Sequence, residues 1–194
     1  MLLQTNFGSN MNKITLIHVT SSTHKASIIK QGLFPTKYSK RDVAEHIRVL
    51  FPRIDTNKLL DRVLSDKCAA SALLRARLND NLARLSFMSE TSHKYYKNIV
   101  DCVHDGGEFF TAIRKALEVV TSVDIPPPYP DAFPIICKAE FNTYFDNEGC
   151  RFIKMPDNIK NIPLPNNSHI EISIEIPLTP TQFTVHSEKK TSNQ

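Results

Sequence analysis

Two polar side chains close the first strongly apolar run of the chain. In "KITLIHVTSSTHKASIIKQGLFP", residues 14 to 19 are mostly apolar and β-branched, and His18 and Thr20 stand at the end of the run. A neutral imidazole carries one donor and one acceptor nitrogen. A strand that delivers this pair to its tip is therefore a candidate site for a polar ligand. Far downstream, "SHIEISIEIPL" alternates Ile170, Ile172, Ile174 and Ile176 with Glu171, Ser173 and Glu175, which sets both carboxylates on the face opposite the apolar one. Glu171 and Glu175 compete for any role that needs negative charge. Arg75, Arg77 and Arg84 have the type to meet phosphates, although the solvated outer face of a helix explains them as well. Glu108, after Gly106 and Gly107, could orient an acceptor, and it also suits the first turn of a helix.

Several chemistries are excluded or disfavoured. Cys68, Cys102, Cys137 and Cys150 form no C-x-x-C pair and no metal-like spacing with histidine, so they read as free thiols of a reducing compartment, with no metal expected. Only 5 glycines occur in 194 residues, which argues against Gly-rich phosphate loops, Rossmann and P-loop sites, and no repeat suggests a solenoid. A net charge of +4 permits an acidic partner without pointing to one. No apolar run approaches the roughly 18–20 residues that span a bilayer, and "MLLQTNFGSNMNK" has no signal-peptide pattern. The expected location is cytoplasmic, or a host cytosol reached by delivery as an effector.

The elements that position these groups are legible from periodicity and caps. The first strand is followed by hydroxyl caps at Ser21, Ser22 and Thr23, a short helix holding Ala26, Ile28 and Ile29, and a stop at Gly32, with Leu33 folding back on Ile28. Residues 39 to 82 read as two or three helices forming a lobe beside a sheet, with stripes at Val43, Ile47, Leu50 and Phe51, then Leu59, Leu60, Val63 and Leu64, then Cys68, Ala69, Ala72, Leu73 and Ala76. A short strand is expected around Leu85 to Met88, a helix over 92 to 103, and another through Phe109, Ile113, Leu117 and Val120. The Pro-rich "DIPPPYPDAFP" reads as an extended connector. "FPIICKAEFNTYF" and "CRFIKMP" form a hairpin about Asp146 to Gly149, the Glu-bearing strand follows, and the tail from about 186 is polar. With 41% hydrophobic residues, one α+β domain over 1–194 is expected.

Three of these pieces, in this order, resemble the ADP-ribosyltransferase superfamily of the His-Tyr-Glu type. "HVTSSTHKASIIKQGLFP" is similar to its opening His-x-Thr strand, helix and Gly-Leu. "LSFMSETSHKYYKN" is similar to its central strand with a Tyr-bearing helix, and "HIEISIEIPLTPTQF" to its terminal Glu strand with an apolar-Pro step downstream. The resemblance implies a split antiparallel β-sandwich with a helical insertion, and NAD bound as substrate in the cleft. It gives His18 a ribose hydroxyl to hold, with Thr20 beside it, and makes Tyr95, Tyr96 or Phe87 the aromatic that stacks on nicotinamide. It makes Glu171 the catalytic carboxylate, chosen over Glu175 by its spacing to Ile176 and Pro177. One departure is plain: Ser86 or Phe87 stands where the family carries a strand tyrosine.

The expected activity is transfer of ADP-ribose from NAD to a macromolecular acceptor with release of nicotinamide, in the manner of toxin or effector mono-ADP-ribosyltransferases. A protein side chain is the first choice of acceptor, and a DNA or RNA base the second. A non-catalytic NAD or ADP-ribose binding module is the rival that the missing tyrosine would fit. A monomer without membrane partners is expected. The geometric expectation is specific: His18 and Glu171 should lie on neighbouring strands and face one pocket.

Overall fold

The computed structural model describes residues 12–80, 82–90, 102–156, 159–165 and 169–187. Within them the chain is α+β, and every strand pairing is antiparallel. Strand β1 (Asn12–Ser21) leads into a 3-10 turn and helix α1 (Lys25–Gln31). Helices α2 (Lys40–Leu50), α3 (Thr56–Ser65) and α4 (Ala69–Asn79) follow, then β2 (Leu85–Met88) and helix α5 (Glu108–Thr121). The C-terminal third carries β3 (Pro134–Phe145), β4 (Arg151–Ile153), β5 (Ile162–Pro163), β6 (Glu171–Ile174) and β7 (Phe183–Ser187).

Local chemistry accounts for the boundaries. Ser39 and Asp42 form a capping box at the start of α2, and Asp55 accepts from the Asn57 and Lys58 amides to start α3. In the β3–β4 turn, Asp146 Oδ1 accepts from the amides of Glu148 and Cys150, and Gly149 supplies a positive φ of 80°. The Pro-rich segment forms neither helix nor strand until its last residue, Pro134, which opens β3, because proline offers no amide to a ladder and fixes φ.

The seven strands form one sheet in the order β5-β4-β3-β1-β2-β6, with β7 also on β3. Strand β3 is its spine. Ten residue pairs join it to β1, while its other edge is shared between β7, along Ile135 to Ala139, and β4, along Thr143 to Phe145. By contrast, β1 meets β2 at a single pair, Ile17 and Met88, and all four residues of β6 pair with β2. The two groups of strands that the sequence reading expected as separate sheets are thus one sheet with a narrow waist.

There are two apolar cores. Leu16, Phe87, Ile135, Cys137, Ile172 and Ile174 contribute to the first, on the sheet. The second joins Val43, Ile47, Leu59, Val63 and Leu74 to Phe109, Ile113 and Leu117. The helical lobe therefore extends past residue 82 to include α5. Some expectations shift in detail: β6 is four residues long and ends before Glu175, and Phe183 to Ser187 continue the sheet as β7. The expected helix over 92 to 103 lies outside the described residues apart from its last two positions.

Gly32 fixes one long-range joint. Its φ is 104°, and a Cβ there would stand 2.2 Å from the Leu178 carbonyl oxygen. Leu33 exchanges both backbone hydrogen bonds with Leu178, at 2.9 and 2.8 Å, so the Gly-Leu step pairs with the segment after β6 as well as sharing a core with Ile28. Gly32→Ala should cost about 2–4 kcal/mol, from backbone strain and a broken bridge. Urea unfolding checks this, and a loss under 1 kcal/mol would show that the joint yields freely.

Candidate active site

A cleft of about 940 Å³ runs between the sheet's waist and the helical lobe, within the ordinary size of ligand sites. The row of side chains along β1 explains where it opens. Leu16, His18 and Thr20 alternate to one face, opposite Ala139, Cys137 and Ile135 of β3. Leu16 is buried in the sheet core, whereas His18 and Thr20 are half-buried and line the cleft. The core thus opens into the cleft along this row, and Ile28, Leu33 and Leu85 belong to both.

His18 Nδ1 lies 2.9 Å from the Ser86 carbonyl oxygen. A carbonyl can only accept, so Nδ1 carries the proton, and Nε2 of the neutral ring remains an acceptor. Burial holds the His18 pKa below its usual value of 6.5, the Ser86 carbonyl opposes this in part, and His24 adds to the lowering. The neutral tautomer is therefore the native one at neutral pH. The folded protein binds fewer protons than the unfolded chain, so His18 contributes stability above pH 6.5 that is lost as pH falls toward the folded pKa. His18→Asn keeps a donor near the Nδ1 position and removes the titration. It should flatten the fall in stability as pH drops below the ordinary histidine value of 6.5, as read by urea midpoints; an unchanged slope would assign that dependence elsewhere.

The opening stretch is held from three sides. His18 reaches β2, His24 Nε2 lies 2.9 Å from the Gly106 carbonyl in the turn before α5, and Leu33 bridges to Leu178. That turn is fixed in its own right. Asp105, 0% exposed, takes a two-point contact from Arg114 of α5, Nε to Oδ1 at 2.7 Å and Nη2 to Oδ2 at 3.0 Å.

Glu171 lies on β6, is exposed, and is among the residues along the same cleft as His18, but its register with Met88 and Ile17 sets its side chain on the sheet face opposite the Leu16–His18 row. The expected adjacency of their strands is corrected. Strand β2 lies between them, with Glu171 paired to Met88 and Met88 to Ile17, because β6 fills its whole length on β2. Glu175 is exposed and lies in the bend after β6, outside the cleft lining.

Phe87 is not available to stack on a ligand. It is 0% exposed, packs 5.8 Å from the His18 ring and 5.3 Å edge-on from Phe141, and forms part of the sheet core. The alternation of Leu85 and Phe87 with Ser86 and Met88 is the signal that assigns it inward. Tyr95 and Tyr96 lie outside the described residues. Among the basic residues, Arg75 donates to the Leu64 and Asp66 carbonyls at the end of α3. Arg77 and Arg84 do line the cleft, paired with Glu108 and Asp80 at 2.7 and 2.8 Å. Lys37 lines it without an ion-pair partner among the described residues.

The chain matches no protein-family model, no curated protein and no solved structure. The site's chemistry therefore rests on its own residues. Tyr38, His46 and Phe110 also line the cleft, and sequence reasoning missed all three. Their signals were a histidine one position before Ile47 on the apolar stripe of α2 and the aromatic pair that follows Gly106-Gly107. Among the described residues, Asp146, Glu148 and Cys150 bring possible metal-ligating atoms within 4.8 Å of one another. They sit on the exposed β3–β4 turn, where Asp146 already accepts two amides. No helix among the described residues is long and apolar enough to cross a membrane.

Proposed function

We propose that the chain is an NAD-dependent mono-ADP-ribosyltransferase whose cleft takes NAD as substrate. One observation carries the reading: a neutral His18 with an unused acceptor nitrogen shares a cleft with Glu171, the two positions that the sequence resemblance pairs.

The chemistry suits these side chains. His18 Nε2 accepts from a ribose hydroxyl, with the Thr20 hydroxyl close by on the same row of β1. Cleavage of the bond from ribose C1′ to the nicotinamide nitrogen sends its electron pair to the nicotinamide ring, which leaves neutral, and positive charge builds on the sugar. A carboxylate at Glu171 stabilises that charge more in the transition state than in the ground state. The acceptor's nucleophile then bonds to C1′ and releases its proton to solvent. Arg77, Arg84 and Lys37 along the cleft supply positive charge for a pyrophosphate.

A protein side chain is the preferred acceptor, since the net charge of +4 is modest. Incubation with NAD labelled in the adenylate, together with cell lysate or single-stranded oligonucleotides, tests the reading. Label in protein bands supports it as stated, and label in nucleic acid moves the acceptor to a base. Saturable NAD binding without nicotinamide release points to a binding module and overturns the transferase.

A further inference from the structure

His18 has a neighbour in the cleft that the chemistry proposed above leaves idle. His24 ends the 3-10 turn between β1 and α1, is half-buried, and lines the same cleft. The two rings are close enough that the charge of His24 helps to lower the His18 pKa. His24 Nε2 lies 2.9 Å from the Gly106 carbonyl oxygen. A carbonyl only accepts, so Nε2 carries the proton and Nδ1 keeps the free lone pair of the neutral ring. Nδ1 does not cap α1 and has no other hydrogen-bond partner among the described residues. The shielded side-chain nitrogens that lack a partner there are His46 Nε2 and Arg151 Nε, so His24 Nδ1 is open to solvent. The carbonyl that fixes this tautomer is itself held, because Asp105 in the same turn is paired with Arg114.

We propose that His24 is the general base that takes the proton of the acceptor, an inference that rests on the transferase reading. A base assists only an acceptor that sheds a proton as it attacks. The acceptor group is therefore a hydroxyl or a neutral N–H, and a carboxylate, which attacks without losing a proton, is disfavoured. As the bond from ribose C1′ to nicotinamide breaks, a lone pair of the acceptor oxygen or nitrogen bonds to C1′. The acceptor's proton passes to His24 Nδ1, and the imidazolium then returns a proton to solvent. An imidazole held through one nitrogen and free at the other is the arrangement that nucleophilic catalysis uses. His18 suits the task less well, since burial opposes its protonation and its free nitrogen holds the ribose.

His24→Gln in the full chain tests the assignment. The Gln amide nitrogen reaches the position of Nε2 and keeps the bond to Gly106, while the Nδ1 lone pair is lost; circular dichroism verifies the fold. Transfer of ADP-ribose to lysate protein should fall about 10²–10⁴-fold, the usual share of general-base catalysis, with NAD affinity by calorimetry unchanged. The acid limb of the parent's rate profile against pH, which reports protonation of an essential base, should be absent from the variant. Added imidazole should restore transfer in His24→Ala, and a purely structural histidine would show none of these effects. Transfer at the parental rate overturns the proposal, and so does a matched loss of NAD affinity, which would make His24 a binding residue. Label released by mild alkali, the mark of a carboxylate ester, also overturns it. Failure of the transferase reading looks different, because the parent itself then releases no nicotinamide from NAD.

Discussion

Glu171→Gln is expected to slow nicotinamide release from NAD by on the order of 10²–10³-fold, the usual cost of removing one preorganised electrostatic contact in a transition state. The substitution keeps the size and hydrogen-bonding reach of the side chain and removes its charge. Because Glu171 is exposed and forms no ion pair among the described residues, the fold has little reason to respond, and the thermal midpoint should stay within a degree or two. The signature is a fall in kcat with KM for NAD nearly unchanged, as expected for a group that acts on developing charge. Glu175→Gln is the internal control. It lies outside the cleft lining and should release nicotinamide at the parental rate. Equal rates in parent and Glu171→Gln would remove Glu171 from the chemistry, and a loss in Glu175→Gln alone would transfer the role to its neighbour.

The largest effect on stability is expected at Asp105. Its carboxylate is fully buried and paired at two points with Arg114, which also meets Glu118 Oε1 at 2.7 Å and the Ile125 carbonyl at 3.2 Å. Asp105→Ala would leave the guanidinium largely buried beside a cavity and without its main counter-charge. The expected loss is about 3–5 kcal/mol, the range for breaking a buried pair by removing one partner. The cost reaches the site as well. Asp105 fixes the turn that presents the Gly106 carbonyl to His24, so the opening stretch should lose one of its three anchors. Urea unfolding gives the first quantity, and amide exchange across α1 gives the second. A loss under 1 kcal/mol would mean that Glu118 and the backbone carbonyls satisfy Arg114 unaided.

What the sequence revealed and what it concealed divides along a physical line. Features fixed by neighbours in the chain were legible: the apolar run of β1, the Gly32 stop and the Asp146 to Gly149 turn each follow from local sterics and hydrogen bonding. Features fixed by partners far along the chain were not. Nothing local indicates that β2 lies between His18 and Glu171, or that Leu33 pairs with Leu178. The same holds for α5, whose apolar stripe was legible but whose partner, the helical lobe, was not. Phe87 is an intermediate case, since the alternation in "LSFM" carried an inward signal while the resemblance assigned it to a ligand. At the site, His18, Thr20 and Glu171 were chosen from motifs, whereas Tyr38, His46 and Phe110 emerge only when α2 and α5 are set against the sheet.

The lone pair between Ile17 and Met88 sets the mechanics of the site. A long ladder locks two strands in register through many repeated bonds, whereas the β2–β6 ribbon meets β1 at one pair and is tied near its ends by the Thr36–Arg84 and Leu33–Leu178 bridges. What fixes its angle is the packing of Phe87, Ile172 and Ile174 against the sheet core, together with the bond from His18 to Ser86. The tilt of the ribbon thus depends on side-chain volume at Phe87, Ile172 and Ile174 as well as on backbone pairing. Repacking those side chains is therefore a way to reshape the cleft wall without changing a strand pairing.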